Sequence, residues 1–322
     1  MVRLGSGADS LADFIRSCRN EESMTVRLGI NPITWSNDDM PELGGDIPLE
    51  VCLSETRAAG FSGIEMGGKF PRDSRELRPI LEKHNLALVS GWYSGGLLDK
   101  GLEEEWQEAQ AHLTLLRDMG CKHVVYADTS RRADGDLFGP ISKRPRLRDE
   151  EWPAYGRDLT ALAVRMRDFG VAMAFHHHMG TIIETDDEVD KLMASTGPAV
   201  GLLFDSGHSA FSGGNPVALV QRHVKRVVHV HCKDTRRPIL EKARAKDGSF
   251  MQSVLDGIFT VPGDGAVDFP AILRTLKDAG YDGWLIVEAE QDPRKAHPLT
   301  YAKLGFGNLA RLALQAGHTI TP

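Results

Sequence analysis

The sequence predicts an α/β chain folded as a single-domain (βα)8 TIM barrel. Three observations carry that expectation: a recurring helix–glycine–strand phrase, eight apolar segments of strand length, and long helical patterns between most of them. The phrase is a small or acidic residue and Gly at a helix end, followed by a short apolar run. It occurs at Ala58-Ala59-Gly60 before FSGIEMG and at Asp118-Met119-Gly120 before CKHVVYAD. It returns at Asp168-Phe169-Gly170 before VAMAFHHH and at Asp278-Ala279-Gly280 before YDGWLIVEAE. Glycine ends helices because it enters the left-handed region without a Cβ clash.

In chain order, strands are expected at Arg27–Asn31, Gly63–Gly67, Ala87–Gly91, His123–Asp128, Val171–His178, Val200–Asp205, Arg226–His231 and Trp284–Glu290. Helices fit at Leu49–Ala59, Glu103–Met119, Trp152–Phe169 and Phe269–Ala279. Residues 1–25 read as a tail outside the core, with Met24 as an alternative start, and the barrel as residues 26–317. An open doubly wound sheet is the competing fold. No G-x-G-x-x-G follows the first strand, so dinucleotide binding has no support.

The 322 residues carry 38 Lys+Arg against 45 Asp+Glu, a formal net charge of −7. That balance argues against a general nucleic-acid binder, which needs clustered cations. No apolar stretch approaches the ~20 residues that span a bilayer, so no membrane partner is expected. Cys18, Cys52, Cys121 and Cys232 lie far apart and form no C-x-x-C pair. They support neither a disulfide framework nor a thiolate zinc site, and a cytoplasmic location is the expectation.

Alternate side chains of a strand share a face, and in a barrel one face looks into the lumen. In the fifth strand Val171, Met173 and Phe175 belong outside, leaving His176 and His178 inside. The same parity turns Leu202 and Phe204 outward with Asp205 inward. It turns Val228 and Val230 outward, with His229 and His231 inward. Glu288 and Glu290 face in, as do Glu65 on the second strand and Asn31 on the first. His176, His178, Asp205, His231 and Glu288 therefore gather at the C-terminal end of the barrel, where barrel enzymes keep their chemistry. Burying such groups together is expensive unless they bind a cation or each other. Mixed nitrogen and oxygen donors suit Mn²⁺, Co²⁺, Fe²⁺ or Zn²⁺ better than Ca²⁺ or Mg²⁺. Glu290 and His229 read as supporting or structural.

The motifs FHHHMGT (Phe175–Thr181), LLFDSGH (Leu202–His208), HVHCKD (His229–Asp234) and YDGWLIVEAEQDP (Tyr281–Pro293) resemble the xylose-isomerase-like TIM barrels. GINPITWSNDDMPELGG (Gly29–Gly45) and GIEMGGKFPRD (Gly63–Asp73) narrow the resemblance to the inosose dehydratase family, over Val26 to Gly317. The resemblance implies a divalent metal, Mn²⁺ or Co²⁺, held from strands five to eight. The aspartate of D-x-x-H falls on Asp205, the histidine of H-x-K-D on His231 and the last glutamate on Glu288. Where relatives often have Glu-Asn-His, this chain has His176-His177-His178. Either His176 replaces the glutamate as fourth metal ligand, or three protein ligands and water serve.

The reaction so implied is loss of water from 2-keto-myo-inositol, a small cyclic polyol ketone, giving a trihydroxycyclohexane-dione. His178, His208, Glu65 and Lys69 are the catalytic candidates, with base and acid unassigned between them. Asn31 and Lys233 are candidates for hydrogen bonds to ring hydroxyls, and Trp35 and Trp92 for excluding water from the substrate. A ketose or inosose epimerase or isomerase using the same enediolate is the alternative, and a homo-oligomer is left open.

Overall fold

Glycine fixes where the helices stop. Gly60 at φ 112° and Gly170 at φ 109° close the helices Leu49–Ala59 and Trp152–Phe169 in the left-handed region, both over the ranges expected. Each cap hands the chain directly to a strand. The barrel strands are β1 (Thr25–Ile30), β2 (Gly63–Met66), β3 (Ala87–Gly95), β4 (His123–Asp128), β5 (Ala172–His176), β6 (Gly201–Asp205), β7 (Val227–Cys232) and β8 (Trp284–Val287). In the computed structural model, which describes residues 25–131 and 137–321, each strand pairs in parallel with the next. β8 pairs back to β1 through Gly29↔Ile286 and Ile30↔Val287, which closes the cylinder. The chain is a TIM barrel.

Several boundaries differ from expectation for local reasons. β3 continues to Gly95 because Trp92 to Gly95 find ladder partners in Val125 to Asp128 of β4. Trp92, just past the expected end of the strand, is thus part of it. β5 stops at His176 and β8 at Val287, so His178, Glu288 and Glu290 lie just past their strands. Thr25, expected in the tail, opens β1, and a short strand Thr319–Ile320 pairs beside it. The remainder of the expected tail, including Cys18 and the alternative start at Met24, lies outside the described residues.

The outward faces form the main core against the helices, with Leu28, Tyr126, Phe175, Leu202 and Phe204 all buried. Inside the barrel a small apolar layer is built from Val125, Ala174 and Leu203. Val228, expected outward, packs against this layer instead. The β6–β7 register shifts between Leu202 and Leu203, and Gly201 leaves the space: a Cβ there would lie 2.5 Å from Val228. Trp284 plugs the N-terminal end of the lumen over Gly63, with the Arg27 guanidinium 4.3 Å from its ring centroid. With one end plugged, polar side chains have the other end to occupy.

Over that open end two connections interlock. The loop after β4 meets the loop after β7 through Ile141 N–H to the Gly248 carbonyl at 3.0 Å and Ser142 Oγ to Asp247 at 2.6 Å. A second apolar cluster that includes Met179, Phe211, Met251 and Phe259 fills the space beneath. No helix among the described residues is long and apolar enough to cross a membrane, and Cys52, Cys121 and Cys232 are buried free thiols.

Candidate functional site

The polar layer rests on Glu65, a buried carboxylate on β2. It accepts hydrogen bonds from Ser90 Oγ at 2.6 Å and Asn31 Nδ2 at 2.7 Å, and pairs with His229 Nε2 at 2.8 Å and His231 Nε2 at 3.2 Å. Burial opposes its charge, yet His231 and His229 hold its carboxyl well below the usual range. Burial likewise opposes charge on His231, and Glu288 and Glu65 override it, holding the imidazole well above its usual range.

His231 then links the floor to the upper ring of donors. Its Nδ1 lies 2.5 Å from Glu288 Oε2 and 3.5 Å from Asp205 Oδ2, and Asp205 Oδ2 lies 3.4 Å from His176 Nε2. The four expected ligands His176, Asp205, His231 and Glu288 are thus contiguous and all buried. Asp205 owes its orientation to the chain that follows it: it caps the helix Ser206–Ser212, accepting the His208 N–H at 2.8 Å. Ligand atoms of His176, Asp205 and His231 lie within 4.8 Å of one another, close enough to share one ion. His176 Nδ1 and His208 Nδ1 are buried and without a hydrogen-bond partner, a state that usually marks a missing ion, water or ligand.

A cavity opens above this ring. Its wall includes Asn31, Glu65, Trp92, Ser94, His176, His178, His231, Glu288 and Glu290, with the β1 loop around Trp35 to Asp39 opposite. Trp92 is 37% exposed and sits edge-on to His176 and His178. Trp35 is buried, its Nε1 donating to Glu55 at 2.7 Å. His178 Nδ1 lies 2.9 Å from the Met179 carbonyl and so carries the proton, which leaves Nε2 a lone pair. Burial, with His176 and Lys233 nearby, pulls the His178 pKa down to about 3, so the ring is neutral near pH 7.

Four candidates occupy places that sequence alone does not reveal. Lys233, expected to reach ring hydroxyls, lies behind the cavity wall with its ammonium 2.6 Å from both Glu288 Oε1 and Glu290 Oε1. The carboxylates draw the cation inward. His208 is also behind the wall, fully buried, with Nε2 3.0 Å from Lys233 Nζ and its ring 4.2 Å from that of His178. Lys69 lines the cavity, but its ammonium donates to the carbonyls of Gly44, at 2.7 Å, and Ile47. Asn31 commits its amide to Glu65 and Glu288, and its Oδ1 to the Ile33 N–H. In the other direction, Glu290 lines the cavity although it reads as a supporting residue, and strand parity already turned it inward. Ser90 carried no sequence signal because the β2–β3 register shift hides which face it takes, and Ser94 lies past Gly91, the expected end of β3.

A family description, xylose isomerase-like TIM barrel, matches residues 53–311. The chain is similar to the rhizopine catabolism protein MocC of Rhizobium meliloti, with 63% identity over 92% of each chain. It is also similar to the inosose dehydratase of Geobacillus thermodenitrificans, with 44% identity over 86% of this chain and 94% of that protein. The Clostridium beijerinckii inosose dehydratase shares 43% over the same fractions. Among solved structures, an IolI protein with a zinc atom aligns at TM-score 0.62 and 19% identity, over 90% of this chain and 98% of that one. L-ribulose 3-epimerase aligns at 0.63 and 17%, over 90% and 95%. At such identities the structural likeness carries the fold alone.

Proposed function

This chain belongs to the xylose isomerase-like TIM-barrel family, and from that premise we propose that it is a hydro-lyase of inositol catabolism. It removes water from 2-keto-myo-inositol to leave a trihydroxycyclohexane-dione. The observation that carries this reading is the 44% identity over 94% of an inosose dehydratase. The buried ring of His176, Asp205, His231 and Glu288 supports it.

Two imidazoles and two carboxylates fit a divalent ion; mixed donors of this kind suit Mn²⁺, Co²⁺, Fe²⁺ or Zn²⁺, and the family resemblance narrows the choice to Mn²⁺ or Co²⁺. When bound, such an ion supplies a Lewis acid that acidifies the C–H beside the ring ketone and offsets the negative charge that develops on its oxygen. The protein's own groups do the rest. His178, fixed as the Nδ1–H tautomer by the Met179 carbonyl, takes the ring proton on Nε2. The C–H electrons become the new C=C bond, the C–O bond of the β-hydroxyl breaks, and the proton that His178 has taken passes to the departing oxygen, leaving an enol that tautomerises to the dione. Atoms and electrons balance with no redox partner. Glu65 holds the His231 ring in place, and Trp35 and Trp92 limit the entry of water.

Protein stripped of metal and reconstituted separately with Mn²⁺, Co²⁺, Zn²⁺ or Mg²⁺ tests this on 2-keto-myo-inositol. Dione absorbance restored by Mn²⁺ or Co²⁺ is expected. Full activity of stripped protein in chelator overturns the metal role. An epimer formed without dione replaces the lyase with an epimerase. The 63% identity to a rhizopine catabolism protein favours a second setting for the same elimination, rhizopine catabolism.

A further inference from the structure

Lys233 is fully buried, and its ammonium is ringed by groups that commonly bind metal ions. Nζ lies 2.6 Å from Glu288 Oε1, 2.6 Å from Glu290 Oε1, 3.0 Å from His208 Nε2 and 3.8 Å from Asp205 Oδ2. An imidazole nitrogen and carboxylate oxygens around one point are the donor set of a transition-metal site.

The chain is built to bring the ammonium there. Ser206 Oγ bonds both the Lys233 N–H, at 3.2 Å, and the Lys233 carbonyl, at 2.8 Å, which fixes the backbone as it leaves β7. The aliphatic stem then passes over Gly207, where a Cβ would come within 2.4 Å of Lys233 Cγ, so any larger residue would block it. The Phe259 ring closes the far side, its centroid 4.7 Å from Nζ.

Two sets of ligand atoms share His208, whose Nε2 faces the ammonium. Those of His178, His208 and Glu290 lie within 4.8 Å of one another, as do those of Asp205, His208 and Glu288. Either set could hold an ion if the ammonium were gone.

We infer that Lys233 is a built-in cation that occupies a second ion position, against His208, Glu288 and Glu290, and thereby limits the centre to a single divalent metal. This rests on the metal reading given under the proposed function. The charges agree with it. Asp205, Glu288 and Glu290 bring three negative charges, which a divalent ion and an ammonium together neutralise. A second divalent ion beside Lys233 would leave excess positive charge in a site of low dielectric.

Lys233→Met keeps the apolar stem and deletes the charge. After dialysis against Zn²⁺ or Mn²⁺ and removal of loose metal, elemental analysis counts the bound ions, and thermal melts with and without metal report the coupling to folding. The wild-type chain is expected to hold a single ion and the variant to take up a second. The variant is also expected to melt lower without metal and to regain more on metal addition than the wild type does. A variant that still holds a single ion, or a wild type that already holds two, overturns the inference and leaves the metal reading standing. A wild type that holds none overturns the metal reading itself. Should the variant not fold, His208→Gln and Glu290→Gln in the otherwise unchanged chain decide the matter. Both serve the ammonium here, so each is expected to keep the single ion. Loss of that ion from either one overturns the inference.

Discussion

Asn31 Nδ2 donates a 2.7 Å hydrogen bond to Glu65 Oε2, joining the ends of β1 and β2 under the ring of histidines and carboxylates. The other carboxylate oxygen takes Ser90 and His229, and His231 Nε2 lies across both oxygens, 3.2 Å from Oε1 and 3.1 Å from Oε2, so the acceptor sites of Glu65 are occupied. Its work is to orient others.

Glu65→Gln therefore removes a buried charge from beside two imidazoles and puts an amide N–H where an acceptor is needed. Leaving buried partners unsatisfied costs about 1–3 kcal/mol, read as a lower urea midpoint. Loss of a carboxylate that orients a metal-binding histidine typically weakens the ion about 10–100-fold. Isothermal titration with Mn²⁺ checks this. Unchanged affinity in a folded variant would mean that Glu65 does not position His231.

Lys69 acts as a brace between loops. Through Gly44 and Ile47 it pins the chain that follows Trp35, and Asp38 returns the tie by accepting the Gly68 N–H at 2.7 Å. Lys69→Met is expected to raise KM far more than it lowers kcat, because the loop wall loosens while the histidines stay put. Lys69→Arg, which keeps a donor, should recover part of the loss. A kcat collapse with KM unchanged would return Lys69 to the proton-transfer step.

At the opposite end of the barrel, Gly63 and Trp284 are in close contact. A Cβ at residue 63 would lie 2.5 Å from Trp284 Cη2 and 2.6 Å from Val89 Cγ2. Gly63→Ala overpacks the plug and is expected to destabilise the fold by about 1–3 kcal/mol, with kcat little altered because the cavity lies at the other end. Equilibrium unfolding alongside steady-state assays separates the two effects. Stability equal to wild type would show that the plug yields easily.

Strand parity is legible in this sequence because bulky apolar side chains alternate with small or polar ones in β5 and from His229 onward in β7, and because Asp205 and Glu288 end the apolar runs of β6 and β8. Hence the sequence alone turns His176, Asp205, His231 and Glu288 toward one barrel end. Val228 broke the pattern because a register shift is a property of two strands, and one strand's sequence does not reveal it. Lys233 and His208 were legible as charged or titratable residues near the site but not as its interior. Which way a long side chain turns depends on the carboxylates brought near it by β8, some 55 residues on in the case of Glu288. Lys69 misled for a similar reason, since its partners are backbone carbonyls without a side-chain signature.

Glu184 makes the fold pH-sensitive outside the site. The residue is buried, and burial pushes its pKa from 4.5 up to about 7, although Arg144 Nε stands 3.2 Å away and works against the rise. The folded chain thus keeps a proton that the unfolded chain releases between those two values. Stability from this group is fully present below 4.5 and is lost as pH rises through 7, the opposite of a salt-bridged acid with a depressed pKa. Glu184→Gln carries the neutral form at every pH, and its amide oxygen can still accept the Gly180 N–H, which Glu184 takes at 2.8 Å. Arg144 keeps Glu188 at 2.8 Å, so the variant leaves no unpaired buried cation. The rise to about 7 is already net of the pull of Arg144, so relief of the ionised carboxylate is expected to gain about 1–3 kcal/mol above neutral pH. Urea unfolding in buffers from pH 5 to 8 is expected to show the variant equal to or below wild type at the acid end and above it at pH 8. A difference between the two proteins that does not change with pH would mean that Glu184 is ionised throughout, with Arg144 prevailing over burial.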